Sequence, residues 1–277
     1  MSHESEDEEF ILTAGRYSAQ ALEVIKVLDA RIDDVYREIQ EQPFWKALHD
    51  PANSNETLQA IFREVFFSIY SYQKHTTEAG FHMIGKFPKS ETRLLKLTTL
   101  HKVEESEHGE WALRDFAILG GEKEMAVASE ATPATFAVAS VWWRMAMTEE
   151  PLGYFGAEYL FEYLTLIVSQ PLLVLFKNRG FKADGLKFII DHATEDEKHA
   201  ILIRSLICEV VTRYPETAAS MIRCFDYFRQ VYPLPVWTEA YHRAIQAPGS
   251  QLQWDGDFPW PEVANTVPEG GAIIGNG

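Results

Sequence analysis

Apolar residues recur at three- and four-residue intervals over most of the chain, the period that lines one face of an α-helix. The first run extends from about Phe10 to Glu41, with Ile11, Leu12, Tyr17, Ala21, Leu22, Val24, Ile25, Leu28, Ile32, Val35 and Ile39 on one stripe and Pro43 ending it. A second helix is predicted from Asn55 to about Gly80, capped by Ser54 or Asn55 and rich in aromatics at Phe62, Phe66, Phe67, Tyr70 and Tyr72. Ser90 opens a third, which Gly120 and Gly121 stop. Pro133 to about Glu149 forms a fourth. Tyr154 to about Asn178 forms a fifth, strongly apolar, with Pro171 expected to kink it. The sixth runs from Phe188 to about Tyr214, followed by one over roughly Glu216 to Gln230 and a shorter one ending near Ile245. No strand alternation, repeat or linker interrupts the series, so the prediction is one all-α domain over residues 10–247. An acidic tail, residues 1–9, is expected to stay solvated. An irregular Gly/Pro/Trp-rich arm, residues 248–277, carries Trp254, Phe258 and Trp260 and is expected to dock on the body or on a neighbouring subunit.

Three of these apolar stripes carry groups that are costly to bury. His192, Asp196 and His199 stand at i, i+4 and i+7, within about 60° of arc on a helix, on the face that also holds Phe188, Ile203, Leu206 and Val210. His101, Glu105 and His108 repeat that spacing on a stripe with Leu94, Leu97, Ala112 and Phe116; Glu104 lies at its edge, while Lys102, Ser106 and Glu110 point away. Between Tyr154 and Phe176 only Glu158 and Glu162 are charged; Glu162 is the candidate to close a site from a third helix, with Glu158 one turn earlier as an outer group. A single core histidine is commonly just hydrogen-bonded, and a His/Asp pair one turn apart can be a structural ion pair. Several such stripes together are harder to explain by packing alone. A divalent metal neutralises them directly, and neutral imidazole with carboxylate suits iron, manganese or zinc. Glu64, His75 and Glu78 on the aromatic helix are further candidates for outer groups or ligands.

Composition narrows the partners. The 277 residues are 46% hydrophobic, ordinary for a globular chain with a sizeable core, and the net charge of −16 argues against nucleic acid or an anionic membrane. Cys208 and Cys224 lack CxxC spacing, so neither a disulfide framework nor a thiolate metal site is indicated. The N-terminus has no basic region followed by an apolar run, and no apolar stretch of about 18 residues lacks a polar interruption, which places the chain in the cytoplasm.

The order Glu105-x2-His108, then Glu162 on a long apolar helix, then His192-x3-Asp196-x2-His199 resembles the haem-oxygenase-like diiron oxidases and oxygenases, whose helical fold is shared with thiaminase-like and PQQ-synthesis proteins. The resemblance spans roughly residues 55–230, and the His-x3-Asp-x2-His element is its most specific part. It implies seven or so helices around a pair of non-haem ferrous ions, held by Glu105, His108, Glu162, His192, Asp196 and His199, with O2 as cosubstrate. The reactions it implies are N-oxygenation, desaturation with C–C cleavage, or oxidative decarboxylation of a small amino-acid-derived amine or fatty acid. The expected partners are that substrate and, as a candidate, a second copy of the chain. Many members carry a Glu seven residues before the histidine matching His108, where this chain has His101. Either His101 replaces that ligand or Glu105 supplies it one turn later; Glu104 and Glu158 remain candidate additional ligands or outer groups. The alternatives are a metal-independent thiaminase-like or PQQ-synthesis-like enzyme of the same fold, a haem oxygenase using His75 or His82, a ferritin-like diiron protein, and a non-enzymatic interaction protein.

Overall fold

The computed structural model describes residues 16–147, 150–194 and 196–246, apart from the side chains of residues 194, 196 and 197. The acidic tail and the C-terminal arm both lie outside the described residues. Ser18 caps α1 (Ala19–Glu41) by accepting the Ala21 N–H at 3.1 Å, and the expected stripe is the buried one, from Ala21 and Val24 to Val35 and Ile39. Pro43 does more than end α1. It occupies the first turn of α2 (Pro43–His49), where its missing N–H costs nothing. The 30-residue α3 (Asn55–Ile84) starts at Ser54, whose hydroxyl accepts the Thr57 N–H.

The third predicted helix is two helices, α4 (Thr92–Glu105) and α5 (His108–Ile118), separated at Ser106 and Glu107. Neither Ser106 nor Glu107 is Pro or Gly, and the nearby Gly109 lies inside α5. A short α6 (Lys123–Ala128) occupies what the sequence reads as a polar connection, and α7 (Pro133–Ala146) is capped by Thr132. After a 3₁₀ turn at Pro151–Tyr154, α8 (Phe155–Asn178) runs without interruption through Pro171. It is followed by α9 (Lys187–Thr194), α10 (Asp196–Arg213), α11 (Ala218–Arg229) and α12 (Leu234–Gln246). The described residues thus contain twelve α-helical segments and no strand. This exceeds the seven or so implied by the resemblance because short helices and a helix break subdivide the bundle.

Two long helices act as hubs. α3 packs on α5, α7 and α12, while α8 packs on α9, α10 and α11, and α1 lies across α8, α10 and α11. The core fills the space between the hubs, where Phe62 meets Phe176 at 4.5 Å between ring centroids and Tyr72 meets Phe161 at 6.2 Å. Trp142 is fully buried against Phe228 and donates its indole N–H to the Thr76 carbonyl at 2.8 Å. Within Pro151–Asn178 an 18-residue window has a mean hydropathy of 1.6, long and apolar enough to cross a membrane, and half of that window is buried inside the fold. Its first turn touches α11 backbone to backbone, since a Cβ on Gly156 would lie 1.9 Å from the Met221 carbonyl oxygen.

Candidate metal centre

α4, α5, α8, α9 and α10 bring their polar residues to one point beneath α3. His101 and Glu105, one turn apart on α4, are buried with Glu162 from α8. His101 Nε2 lies 3.0 Å from Glu162 Oε1 and 3.9 Å from Glu105 Oε1. From α10, His199 turns Nδ1 inward, 3.2 Å from Glu105 Oε1 and 3.8 Å from Glu162 Oε2. One ligand atom from each of these four residues falls within 4.8 Å of the other three. Metal bonds of about 2.0–2.2 Å put atoms of one coordination sphere at most about 4.4 Å apart, so side-chain shifts of a few tenths of an ångström would suffice.

Glu105 also faces a second group. Its Oε2 is 3.0 Å from His108 Nδ1, and the His108 ring stands 4.5 Å from that of His192. The two oxygens of Glu105 therefore address two adjacent clusters, His101–Glu162–His199 and His108–His192. His192 stacks on Phe188 and places Nδ1 2.6 Å from the Phe188 carbonyl oxygen. A carbonyl only accepts, so Nδ1 carries the proton and Nε2 keeps the lone pair. The side chain of Asp196 lies outside the described residues.

The electrostatics explain why this group of side chains is unusual. His101 Nδ1 and Nε2, Glu105 Oε1 and Glu162 Oε1 are all buried without a hydrogen bond of good geometry. Native proteins rarely leave such atoms unsatisfied unless something else binds them. Burial pushes the Glu105 and Glu162 carboxyls up, but the facing imidazoles outweigh it and hold both below the usual range. Burial likewise pulls His199 down, yet Glu105 and Glu162 overcome it and raise its pKa to about 9. His192, desolvated and beside His108, is lowered to about 3 and stays neutral. Carboxylates held ionised, a neutral imidazole and orphaned buried donor atoms form a set that fits divalent iron. A cation entering the first cluster would take the place of the His199 proton. Calorimetry at pH 7.5 in buffers of different ionisation enthalpy is expected to show proton release on metal binding, and His199→Gln is expected to abolish most of it.

Other groups behave differently from their sequence pattern. Lys102, expected to point away, is 2% exposed and lies 2.7 Å from the Glu158 carboxylate. Glu158 is thereby a buried ion-pair partner one turn from Glu162, and the pair raises the Lys102 pKa despite the opposing effect of burial. Gln73, unnoticed in the sequence, donates to Glu105 Oε2 at 3.2 Å. Asp115 accepts the Phe188 N–H at 2.7 Å and so anchors the start of α9. Two carboxylates in an otherwise apolar helix, Glu158 and Glu162, call for buried counter-charge, but nothing local to the sequence identifies Lys102 as part of it. Glu64 instead pairs with Arg243, and His75 and Glu78 form a half-exposed pair away from the site.

A narrow, largely apolar cavity opens onto Glu105, Glu162 and His192. Its walls come from α3 (Phe62, Phe66, Ile69, Tyr72) and α8 (Phe161, Thr165, Val168, Leu172), with Phe188, Tyr232 and Trp237. Among the described residues, no Lys or Arg lines it.

Residues 72–232 match the profile of a family described as iron-containing redox enzymes. A domain of unknown function with a haem-oxygenase-like fold from Shewanella denitrificans superposes with a TM-score of 0.67 at 20% identity, covering 83% of this chain and 97% of that one. A TenA homologue from Pseudomonas syringae pv. tomato superposes with a TM-score of 0.59 at 14% identity, covering 83% and 94%. No curated protein matches the sequence.

Proposed function

Because the chain belongs to the iron-containing redox enzymes, and folds like haem oxygenase, we propose that it is a non-haem diiron enzyme that uses O2 to oxidise a small organic substrate. The observation that carries this reading is the convergence of His101, Glu105, Glu162 and His199 within 4.8 Å in a buried setting. In this reading those four hold one iron, while Glu105, His108 and His192, with Asp196, hold the other. Iron in such a site supplies electrons for O2 reduction and the oxidising power turned on the substrate.

The chain's own residues do the rest. Glu105 ties the two clusters through its separate oxygens, and Gln73 steadies it. Lys102 balances Glu158, so that a third buried carboxylate does not add uncompensated charge beside Glu162. The aromatic and aliphatic cavity walls exclude water and orient an apolar substrate body, whose polar end faces Glu105 and Glu162. A small amine, amino acid or fatty acid fits this division, the acid with iron as its counter-charge, since no Lys or Arg among the described residues lines the walls. N-oxygenation, desaturation with C–C cleavage and oxidative decarboxylation are the candidate outcomes.

Anaerobic ferrous loading is expected to give about two irons per chain, and stopped-flow mixing with O2 is expected to be accelerated by the right compound from a panel. An unliganded ferrous protein that reacts equally fast in every case would overturn substrate triggering. Leu172→Trp, which fills the cavity away from the ligands, is expected to keep the iron and lose the acceleration. His101→Ala is expected to lose one iron preferentially, whereas a merely packed histidine would change stability alone.

The TenA homologue favours a second reading, a metal-independent hydrolytic enzyme. Neither cysteine of the chain is placed to act there as a nucleophile. Cys208 and Cys224 are buried, their thiols are pushed up to about 11, and neither lines the cavity. Catalytic turnover by chelator-treated, iron-free protein would establish this reading instead.

A further inference from the structure

Glu104 stands in the last turn of α4 with its side chain 63% exposed, yet its Oε2 lies 2.9 Å from Nε2 of His199, whose side chain is 11% exposed. The other ring nitrogen, Nδ1, faces Glu105 and Glu162 at 3.2 and 3.8 Å. One imidazole thus spans from a solvent-facing carboxylate to the buried cluster. Carboxylates face both nitrogens, so the metal-free ring holds a proton on each; a cation between Glu105 and Glu162 displaces the one on Nδ1, and Glu104, which can only accept, keeps the other on Nε2. The lone pair is then on Nδ1, directed at the cluster. The His192 ring is set the other way, since its Nδ1 is committed to the Phe188 carbonyl at 2.6 Å. The two histidines of the α9–α10 segment therefore offer different nitrogens to the two clusters.

We propose that Glu104 is a positioning residue that holds His199 in the Nε2–H tautomer, making Nδ1 its metal-binding atom. The inference rests on the metal-centre reading above. Metal-bound histidines characteristically donate their second N–H to a carboxylate or carbonyl, and loss of that partner typically lowers metal affinity about 10–100-fold. A plain surface ion pair of the same geometry would leave affinity unchanged, which separates the two interpretations.

The test uses the full chain loaded anaerobically with Zn2+, a diamagnetic stand-in, with affinity measured by competition against a chromophoric chelator. Glu104→Ala is expected to weaken one bound metal about 10–100-fold while the metal-free protein melts as the parent does. Glu104→Gln, whose amide oxygen can still accept the Nε2 proton, is expected to lose less. Long-range proton–nitrogen correlation on 15N-histidine-labelled, zinc-loaded protein is expected to show His199 protonated at Nε2, with that signal lost or broadened by exchange in Glu104→Ala. Parental affinity in Glu104→Ala, or zinc on Nε2 of His199, would overturn the proposal. If Glu162→Ala and His199→Ala lose metal in the same assay, the metal centre stands and only the role of Glu104 fails; if they too bind normally, both fail together.

Discussion

Glu162→Ala, loaded anaerobically with ferrous iron and desalted, is expected to retain at most one iron per chain, with the affinity of the first cluster reduced by more than the about 100-fold that loss of an outer partner can cause. Glu162 is the contribution of α8 to a cluster whose other members come from α4 and α10, and it contacts both histidines, His101 at 3.0 Å and His199 at 3.8 Å. Its removal takes away an anionic ligand and leaves two buried imidazoles facing each other, with ring centroids 4.7 Å apart, across the space it occupied. Among the described carboxylates, Glu158 is engaged by Lys102 and Glu105 is shared with His108, so neither replaces it. His199→Ala is expected to behave in the same way. Full iron content in both variants would mean that this cluster does not hold the metal.

Gly156→Ala is expected to be the most damaging single-methyl change in the described fold, costing about 3 kcal/mol or more, at the upper end of what overpacking usually produces. The added Cβ would lie 1.9 Å from the Met221 carbonyl oxygen and 2.6 Å from its carbon. Those are backbone atoms, so no rotamer change relieves the clash and α8 must move off α11. For a chain of this size the melting temperature is expected to fall by roughly 6–12 °C, measured by circular dichroism. Because α8 carries Glu162, iron affinity should fall with it. Gly180→Ala is the contrast: its φ of +75° imposes strain, but nothing lies within 4 Å of the added methyl. Its cost is expected to be about 1–2 kcal/mol. Equal melting curves for Gly156→Ala and the parent would show that the α8–α11 contact is looser than described.

Much of the fold could be read before any coordinates because helix phase is a local property. Of the stripe from Ala21 to Ile39 every member but Leu22, which is exposed, is buried as its spacing requires, and the Ser54 and Thr132 caps stand where a hydroxyl precedes a periodic run. Helix breaks without Pro or Gly were not legible. Ser106 and Glu107 separate α4 from α5, so His101, Glu105 and His108 do not share one unbroken helix, and His108 reaches the second cluster as the first residue of α5.

The sequence by itself determined the helical class, the buried faces and the unusual presence of histidine and carboxylate on those faces, because each follows from periodicity and from the cost of burying charge. It left open whether His101 or Glu105 occupies the position where the family commonly has a carboxylate. Only the tertiary structure decided that both side chains enter the cluster, that Lys102 turns inward to Glu158, and that Glu105 divides its oxygens between two groups of histidines. The physical reason is one of scale. Local spacing sets which face a residue occupies, whereas separations of 3–4 Å between atoms on α4, α8 and α10 depend on how remote helices cross, and the packing of the whole core sets that crossing.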